Sequence, residues 1–342
     1  MHTLSYFYRH PHPIYFSLEK LFDTIGRQIS HSFDTEFTVA NHFMPFPSRL
    51  SSLIPNILFT KKRQGHINHI TGDVHYAIFG CKKKHVNVLT VHDCVVLHRY
   101  SPRNPRYWVL KWLWYDLPAR KADVVTVISE YTKAELLRFT NCDPARIRVI
   151  PNFVDPAFQP VPFVFNDIRP RILFIGSTPN KNLERLIEAM EGIDAELDIV
   201  GQLTDEQKNL LGRYSIQYHQ SSGLTHEALL EKYIHCDILA FPSSYEGFGL
   251  PIVEAQAIGR PVLSSSLPPM QEVAGDGACL VDPYNVSSIR EGLLMVIREK
   301  EYRENIIAGG FKNVQRFQLG RIASEYVSLY REFLTKKFDG IY

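Results

Sequence analysis

Two doubly wound, Rossmann-like α/β domains facing each other across a cleft are the fold this sequence predicts, and three observations predict it. Short β-rich runs alternate with helical patterns along the whole chain, as they do where parallel strands are covered by helices. The alternation restarts after a proline-rich stretch running from Pro151 through Pro162, whose composition reads as an interdomain connection. At 342 residues the chain is also long enough to bury two separate cores. The expected divisions are 1–160, 161–320 and a C-terminal helix over 321–342.

In the first half the strand candidates are Leu4–Tyr8, Val86–Val91 and Val124–Ile128. The last ends at Ser129, a good N-cap for a helix reaching about Phe139. The second alternation begins with Arg171–Gly176 and a helix over Leu183–Met190. Strands Leu197–Val200, Ile216–Tyr218, Ile238–Phe241, Val262–Ser264 and Cys279–Val281 follow, and an amphipathic stretch from Ala323 to Leu334 closes the chain. Such sheets bind ligands at the carboxyl ends of their strands.

Composition narrows the function classes. The hydrophobic and charged fractions are those of an ordinary soluble protein, and no apolar run approaches the roughly 20 residues a membrane span needs. The N-terminus lacks the basic, apolar, small-residue order of a signal peptide. Five scattered cysteines, Cys81, Cys94, Cys142, Cys236 and Cys279, have no metal-type spacing and fit a reducing compartment. The expectation is a cytoplasmic protein. Its net charge of +2 divides into +8 over residues 1–160 and −6 over 161–342. A basic first half calls for an anionic partner there, either an acidic acceptor or an anionic membrane surface at the inner membrane face. Nucleic acid is not expected, because no nucleic-acid module accompanies the charge.

All three tryptophans fall in Tyr107–Tyr115, flanked by Arg103, Arg106, Arg120 and Lys121, with further basic clusters at Lys61-Lys62-Arg63 and Lys82-Lys83-Lys84. Aromatic and basic residues together suit a membrane interface. Apolar residues nevertheless surround the tryptophans on nearly every side, and a buried helix is the expected reading.

The chemistry-bearing stretch is Tyr245-Glu246-Gly247-Phe248-Gly249-Leu250-Pro251-Ile252-Val253-Glu254, which sets two carboxylates across a glycine-rich turn just after an apolar strand. Glycine lets backbone approach a ligand, Pro251 suits a first helical turn, and amides at a helix start can face a phosphate. A second loop, Gly176-Ser177-Thr178-Pro179-Asn180-Lys181-Asn182, joins a strand to a helix, so its amides and the Lys181 ammonium could meet a diphosphate. Each feature has a plain alternative: Asn182 as a helix cap with Lys181 solvated, Glu246 as a solvated turn acid, Glu254 as a first-turn acid, and His92-Asp93 as a satisfied structural pair.

The ordered series of Gly176 to Lys181, Gly223-Leu224-Thr225-His226-Glu227, Asp237–Ser243, the Glu246/Glu254 pair and Pro261–Ser266 closely resembles the nucleotide-sugar domain of retaining glycosyltransferases of the GT-B fold, family four (glycosyl transferases group 1). Thr90-Val91-His92-Asp93, Ala122–Glu130 and Val149–Asp155 look like that family's first-domain landmarks, so the resemblance covers the chain from about residue 65 onward. It implies transfer of a hexose from a nucleotide-diphosphate sugar to a hydroxyl of a glycan or lipid-linked acceptor, and a C-terminal helix that packs back on the first domain. By resemblance, Glu246 lies beside the donor sugar and stabilises positive charge as the glycosidic bond breaks. Glu254 holds the ribose hydroxyls, and amides around Phe248, Gly249 and Leu250 contact sugar and phosphate. Lys181 neutralises the diphosphate, in the loop that also holds Gly176 and Ser177. Leu224 sits near the base, and His92 reaches toward the transferred sugar. No cofactor and no divalent metal are implied.

Two departures weigh against a simple transfer of roles. The family's usual Arg ahead of the phosphate-loop Lys is absent, with Ser177, Thr178 and Asn180 in its place. Its Gly-Gly loop after the first strand is replaced by Arg9-His10-Pro11-His12-Pro13-Ile14-Tyr15, where no carboxylate or cysteine accompanies the histidines as a metal ligand. The competing readings are a non-catalytic carbohydrate-binding paralogue and a phosphorylase or epimerase on the same fold.

Overall fold

The computed structural model describes residues 1–11 and 17–338, except for the side chains of residues 17 and 18. The stretch from His12 to Tyr15, and with it most of the loop that replaces the Gly-Gly motif, lies outside the described residues.

The chain forms two compact units. The first comprises Met1–Phe153 together with Leu319–Tyr342, and the second Val154–Gln318. In the first, strands β1 (His2–Tyr8), β2 (Phe37–Phe43), β3 (Ile67–Ile70), β4 (Val86–Val91), β5 (Val124–Val127) and β6 (Ile147–Val149) form an all-parallel sheet in the order β2-β1-β3-β4-β5-β6. In the second, β7 (Arg171–Ile175), β8 (Glu196–Val200), β9 (Gln217–Ser221), β10 (Ile238–Phe241), β11 (Val262–Ser265) and β12 (Cys279–Val281) are also parallel, in the order β12-β11-β10-β7-β8-β9. Both are the doubly wound sheets the alternation predicts.

The strands that read most plainly from sequence are mostly apolar and wholly buried, such as β4, β5 and β10, whereas β9, expected over Ile216–Tyr218, is polar and largely exposed. Ser129 caps the helix Glu130–Phe139 as expected, accepting the Thr132 amide at 3.0 Å. Strands β2, β3 and β6 have no counterpart in the sequence reading. β3 is hidden because it buries Asn68 and His69: Asn68 donates to the Asn87 amide oxygen at 3.0 Å, and His69 lies 2.6 Å from the Thr90 hydroxyl. A buried polar residue fully satisfied by partners costs little, yet it breaks an apolar pattern.

The C-terminal helix Leu319–Phe338 belongs to the first unit, and its apolar face explains why. Tyr326 and Tyr330 are buried against Phe22 and His69, and the Tyr330 hydroxyl lies 2.7 Å from His69 Nδ1 and 3.3 Å from the Tyr6 hydroxyl. Aromatic rings bury large area and their hydroxyls need partners, so this network anchors the helix to β1 and β3.

The tryptophan segment departs from the expected buried helix. It forms a helix Pro105–Leu110 followed by a π-helical turn Lys111–Asp116, of which Trp114 is buried while Trp108 and Trp112 are exposed. Trp108 and Trp112, four residues apart, share one side of the segment, whereas Trp114, two residues further on, projects from another side and reaches the core.

Candidate functional site

The order of the second sheet sets the position of the candidate site. Strand β7 lies in the middle, with β8 on one side and β10 on the other, so the chain reverses its direction of winding between β7 and β10. Loops leaving the carboxyl ends of two such strands diverge and leave a crevice. These are the loops that carry Gly176–Asn182 and Pro242–Gly249.

The first loop is shaped by two residues with positive φ. Gly176 adopts φ +96°, and a β-carbon there would stand 2.9 Å from both Cγ and Cε of Lys181. Glycine is therefore required twice, for the backbone and for the passage of the lysine side chain. After the short turn Pro179–Lys181, Asn182 takes φ +68° and precedes the helix Leu183–Ala189. Its side chain does not cap that helix. Instead Nδ2 donates to the carbonyls of Pro242 (3.1 Å) and Pro283 (2.6 Å), tying the loop after β7 to the loops after β10 and β12. Asn180 completes the clasp: Nδ2 donates to the Tyr245 carbonyl at 3.0 Å and its own carbonyl accepts the Ser244 amide at 2.8 Å. Asn182→Ala should therefore cost about 3 kcal/mol, since two buried carbonyls lose their donor and alanine tolerates this φ poorly. Urea unfolding of the variant would measure it, and a change within error would show that the clasp carries no stability.

With the loops joined, the Lys181 ammonium donates to Glu246 Oε1 at 2.7 Å and lies 4.7 Å from the Phe241 ring centroid. Their side chains are only 19% and 14% exposed, so neither is the solvated surface residue of the plain reading. The helix Leu250–Ile258 follows from Gly249 in a left-handed conformation, φ +105°, with Pro251 in its first turn as anticipated. Glu254 lies in the second turn rather than the first, where its Oε2 accepts the Tyr233 hydroxyl at 2.5 Å. Burial, and then the Glu254 charge, hold the Tyr233 phenol well above its ordinary value, so it remains a proton donor to the carboxylate. Phe248 is buried and set edge-on to Phe317, which anchors the turn that presents the amides. Ser177 has its carbonyl bonded by Gln207 Nε2 at 3.2 Å, and half-buried Leu224 sits in the loop before the helix His226–His235.

The second unit thus brings together Gly176, Ser177, Lys181, Glu246, Phe248, Gly249 and Leu250 at one switch point, with Glu254 one turn along the same helix. Sequence reasoning missed Asn180, Asn182 and Tyr233 as parts of the site. Their spacing to their partners, 60 to 101 residues for the clasp of Asn182, leaves no local signal.

His92 belongs to the first unit, at the carboxyl end of β4. Its Nε2–H donates to the Thr71 carbonyl at 2.9 Å, while Nδ1 is buried with no hydrogen-bond partner among the described residues. The Asp93 carboxylate bonds the Val95 amide instead, so His92 and Asp93 are not a satisfied pair. Burial lowers the His92 pKa, leaving a neutral ring whose lone pair on Nδ1 is unused. An unsatisfied buried acceptor of this kind is available to a donor hydroxyl.

Residues 158–313 match the model for glycosyl transferases group 1, and residues 28–158 match that for glycosyltransferase family 4. The chain belongs to glycosyltransferase family four. Among relatives, this glycosyltransferase is 29% identical to an MMP α-(1→4)-mannosyltransferase of Mycolicibacterium hassiacum, over 73% of the chain and 66% of the relative. It is 24% identical to O-antigen chain mannosyltransferase B of Escherichia coli, over 71% of the chain and 70% of the relative. Among solved structures, sucrose-phosphate synthase from Thermosynechococcus elongatus superposes with a TM-score of 0.79 at 17% identity, covering 98% of the chain and all of that protein. HepE of Anabaena, in complex with UDP and glucose, superposes at 0.75 and 15% identity, covering 97% and 100%. The fold is that of the GT-B glycosyltransferases.

Proposed function

We propose that this glycosyltransferase moves a hexose, namely mannose, from a nucleotide-diphosphate donor to a hydroxyl of a glycan or lipid-linked acceptor, with retention of anomeric configuration. The observation that carries the reading is the Lys181–Glu246 pair at the switch point of the second sheet: one shielded cation and one shielded carboxylate, 2.7 Å apart, beside the backbone amides of the Gly249–Leu250 turn that opens a helix without a side-chain cap. In the proposed reaction Lys181 and these amides take the diphosphate charge as the bond to the sugar breaks, in place of the absent arginine. Glu246 faces the positive charge that develops on the sugar, and Glu254, oriented by Tyr233, accepts from the ribose hydroxyls. The departing phosphate oxygen takes the acceptor proton on the same face, so no protein nucleophile is required. His92 Nδ1 accepts a hydrogen bond from a sugar hydroxyl. Lys181 and the helix start serve in place of a divalent metal.

Mannose is supported by the mannosyltransferases among the relatives and hexose transfer in general by the nucleotide-sugar chemistry of the site. Thermal-shift binding of GDP-mannose, UDP-glucose and ADP-glucose, each with EDTA, tests the donor; the expected result is a shift with GDP-mannose that exceeds the others. Product anomeric configuration by NMR tests retention. Absence of any donor-induced shift would sink the enzymatic reading.

A further inference from the structure

We infer that the helix Leu53–Lys62 and the turn before it form a docking surface for an anionic lipid bilayer. The inference stands independently of the donor site, because it rests on the first unit alone. A surface helix ordinarily turns its apolar stripe inward and its polar residues to solvent. This one packs Leu53, Ile57 and Phe59 against the core together with two polar residues, and still leaves an apolar row outside. Asn56 and Thr60 are completely buried: Asn56 Nδ2 donates to the Phe46 carbonyl at 2.9 Å and to the Tyr76 hydroxyl at 2.8 Å, and the Thr60 hydroxyl donates to the Asn56 carbonyl at 3.1 Å. Facing out are Leu50 (72% exposed), Ile54 (69%) and Leu58 (48%), at successive four-residue steps along one stripe. Single exposed apolar residues are ordinary, but an aligned row on a helix already held to the core by its other side needs an apolar medium.

Charge decides which medium. Lys61 and Lys62 follow Leu58 at three and four residues, so they continue the same stripe. Residues 37–72 contain Arg49, Lys61, Lys62 and Arg63 and no Asp or Glu at all. An apolar row ending in lysines matches acyl chains beneath anionic headgroups. A second copy of the same face would meet its like charges across a two-fold axis, and it is not the occupant we assign. The same unit turns Trp108 and Trp112 outward, aromatic residues suited to the headgroup level, and Tyr76 packs on Trp114 of that segment as it holds Asn56.

The test is flotation of the full chain with phosphatidylcholine vesicles, with and without phosphatidylglycerol, at low and high salt. The wild type should float with the anionic vesicles only, and less at high salt. Ile54→Glu/Leu58→Glu should reduce that partition by about tenfold or more, and Lys61→Glu/Lys62→Glu should weaken it comparably. Both variants replace exposed side chains and should keep the wild-type Tm and the nucleotide-induced thermal shift, which separates this result from failure of the donor reading. No flotation, equal flotation with neutral vesicles, or flotation unchanged by Ile54→Glu/Leu58→Glu would each overturn the inference. So would a dimer in solution that Ile54→Glu/Leu58→Glu dissociates in the absence of lipid binding.

Discussion

Glu246→Gln is expected to lower kcat by about 100- to 1,000-fold while nucleoside diphosphate binds as tightly as before or more tightly. The opposite signs follow from the geometry. The Glu246 carboxylate sits 2.7 Å from the Lys181 ammonium, and in the proposed reaction it competes with a diphosphate oxygen for that ammonium. Glutamine keeps the shape, removes the competing negative charge, and leaves the ammonium to the diphosphate. In the proposed reaction it also removes the charge that faces the sugar as its bond breaks, and that interaction grows only in the transition state. Lys181→Ala reverses the pattern: diphosphate affinity should fall by roughly 10- to 100-fold, the value of a charge-assisted hydrogen bond, with Glu246 left unpaired. Calorimetric binding of nucleoside diphosphate and initial rates on both variants separate these outcomes. A purely structural ion pair would give similar losses of stability in the two variants and no difference in sign, and that result would remove both residues from the reaction.

A second large effect is loss of stability in mild acid. His69, His75 and His92 are buried in the first unit, and burial is the leading cause that lowers the pKa of each, His75 to about 4 and His69 well below its ordinary value. The unfolded chain therefore binds protons that the folded chain refuses, between about pH 6.5 and pH 4. Because the unfolded state holds more protons in that window, stability falls as pH falls. His75 alone accounts for about 2 kcal/mol between pH 7.5 and pH 5, and His69 and His92 act in the same direction. Asp73 opposes them: desolvation, and then the neighbouring Asp93, raise its carboxyl to about 6. The residue is exposed, however, and solvent reduces its return to a fraction of one histidine's share. Urea unfolding at pH 7.5, 6.5, 5.5 and 5 should show a steady decline, shallower in His75→Gln, while a flat profile would show that the three rings carry no linkage.

His69 also illustrates the boundary of what could be read from the chain. It stands in a four-residue strand of which half is polar, and only its partners, Thr90 and Tyr330, 21 and 261 residues away, make that strand stable in a core. The helix Leu53–Lys62, with apolar residues both inside and outside, is similar. Its residues give no clean period to a reader who expects apolar side chains inside, and only Tyr76 and the Phe46 carbonyl show that Asn56 faces the core. Asn182 reads locally as a helix cap, because asparagine before a helix usually is one. The carbonyls of Pro242 and Pro283 draw its side chain elsewhere, and they reach it through the order of strands in the sheet.

What the sequence determined by itself was everything written in local terms. Continuous apolar runs specified the central strands, glycine and proline placed the turns, and two acids across a glycine turn marked the donor-side loop. These depend on backbone preference and burial, which act over a few residues. The tertiary structure alone decided the pairings: Lys181 with Glu246, Tyr233 with Glu254, and Asn182 with two distant carbonyls. Hydrogen bonds and ion pairs act over about 3 Å, and only folding brings together side chains that lie 21 to 101 residues apart.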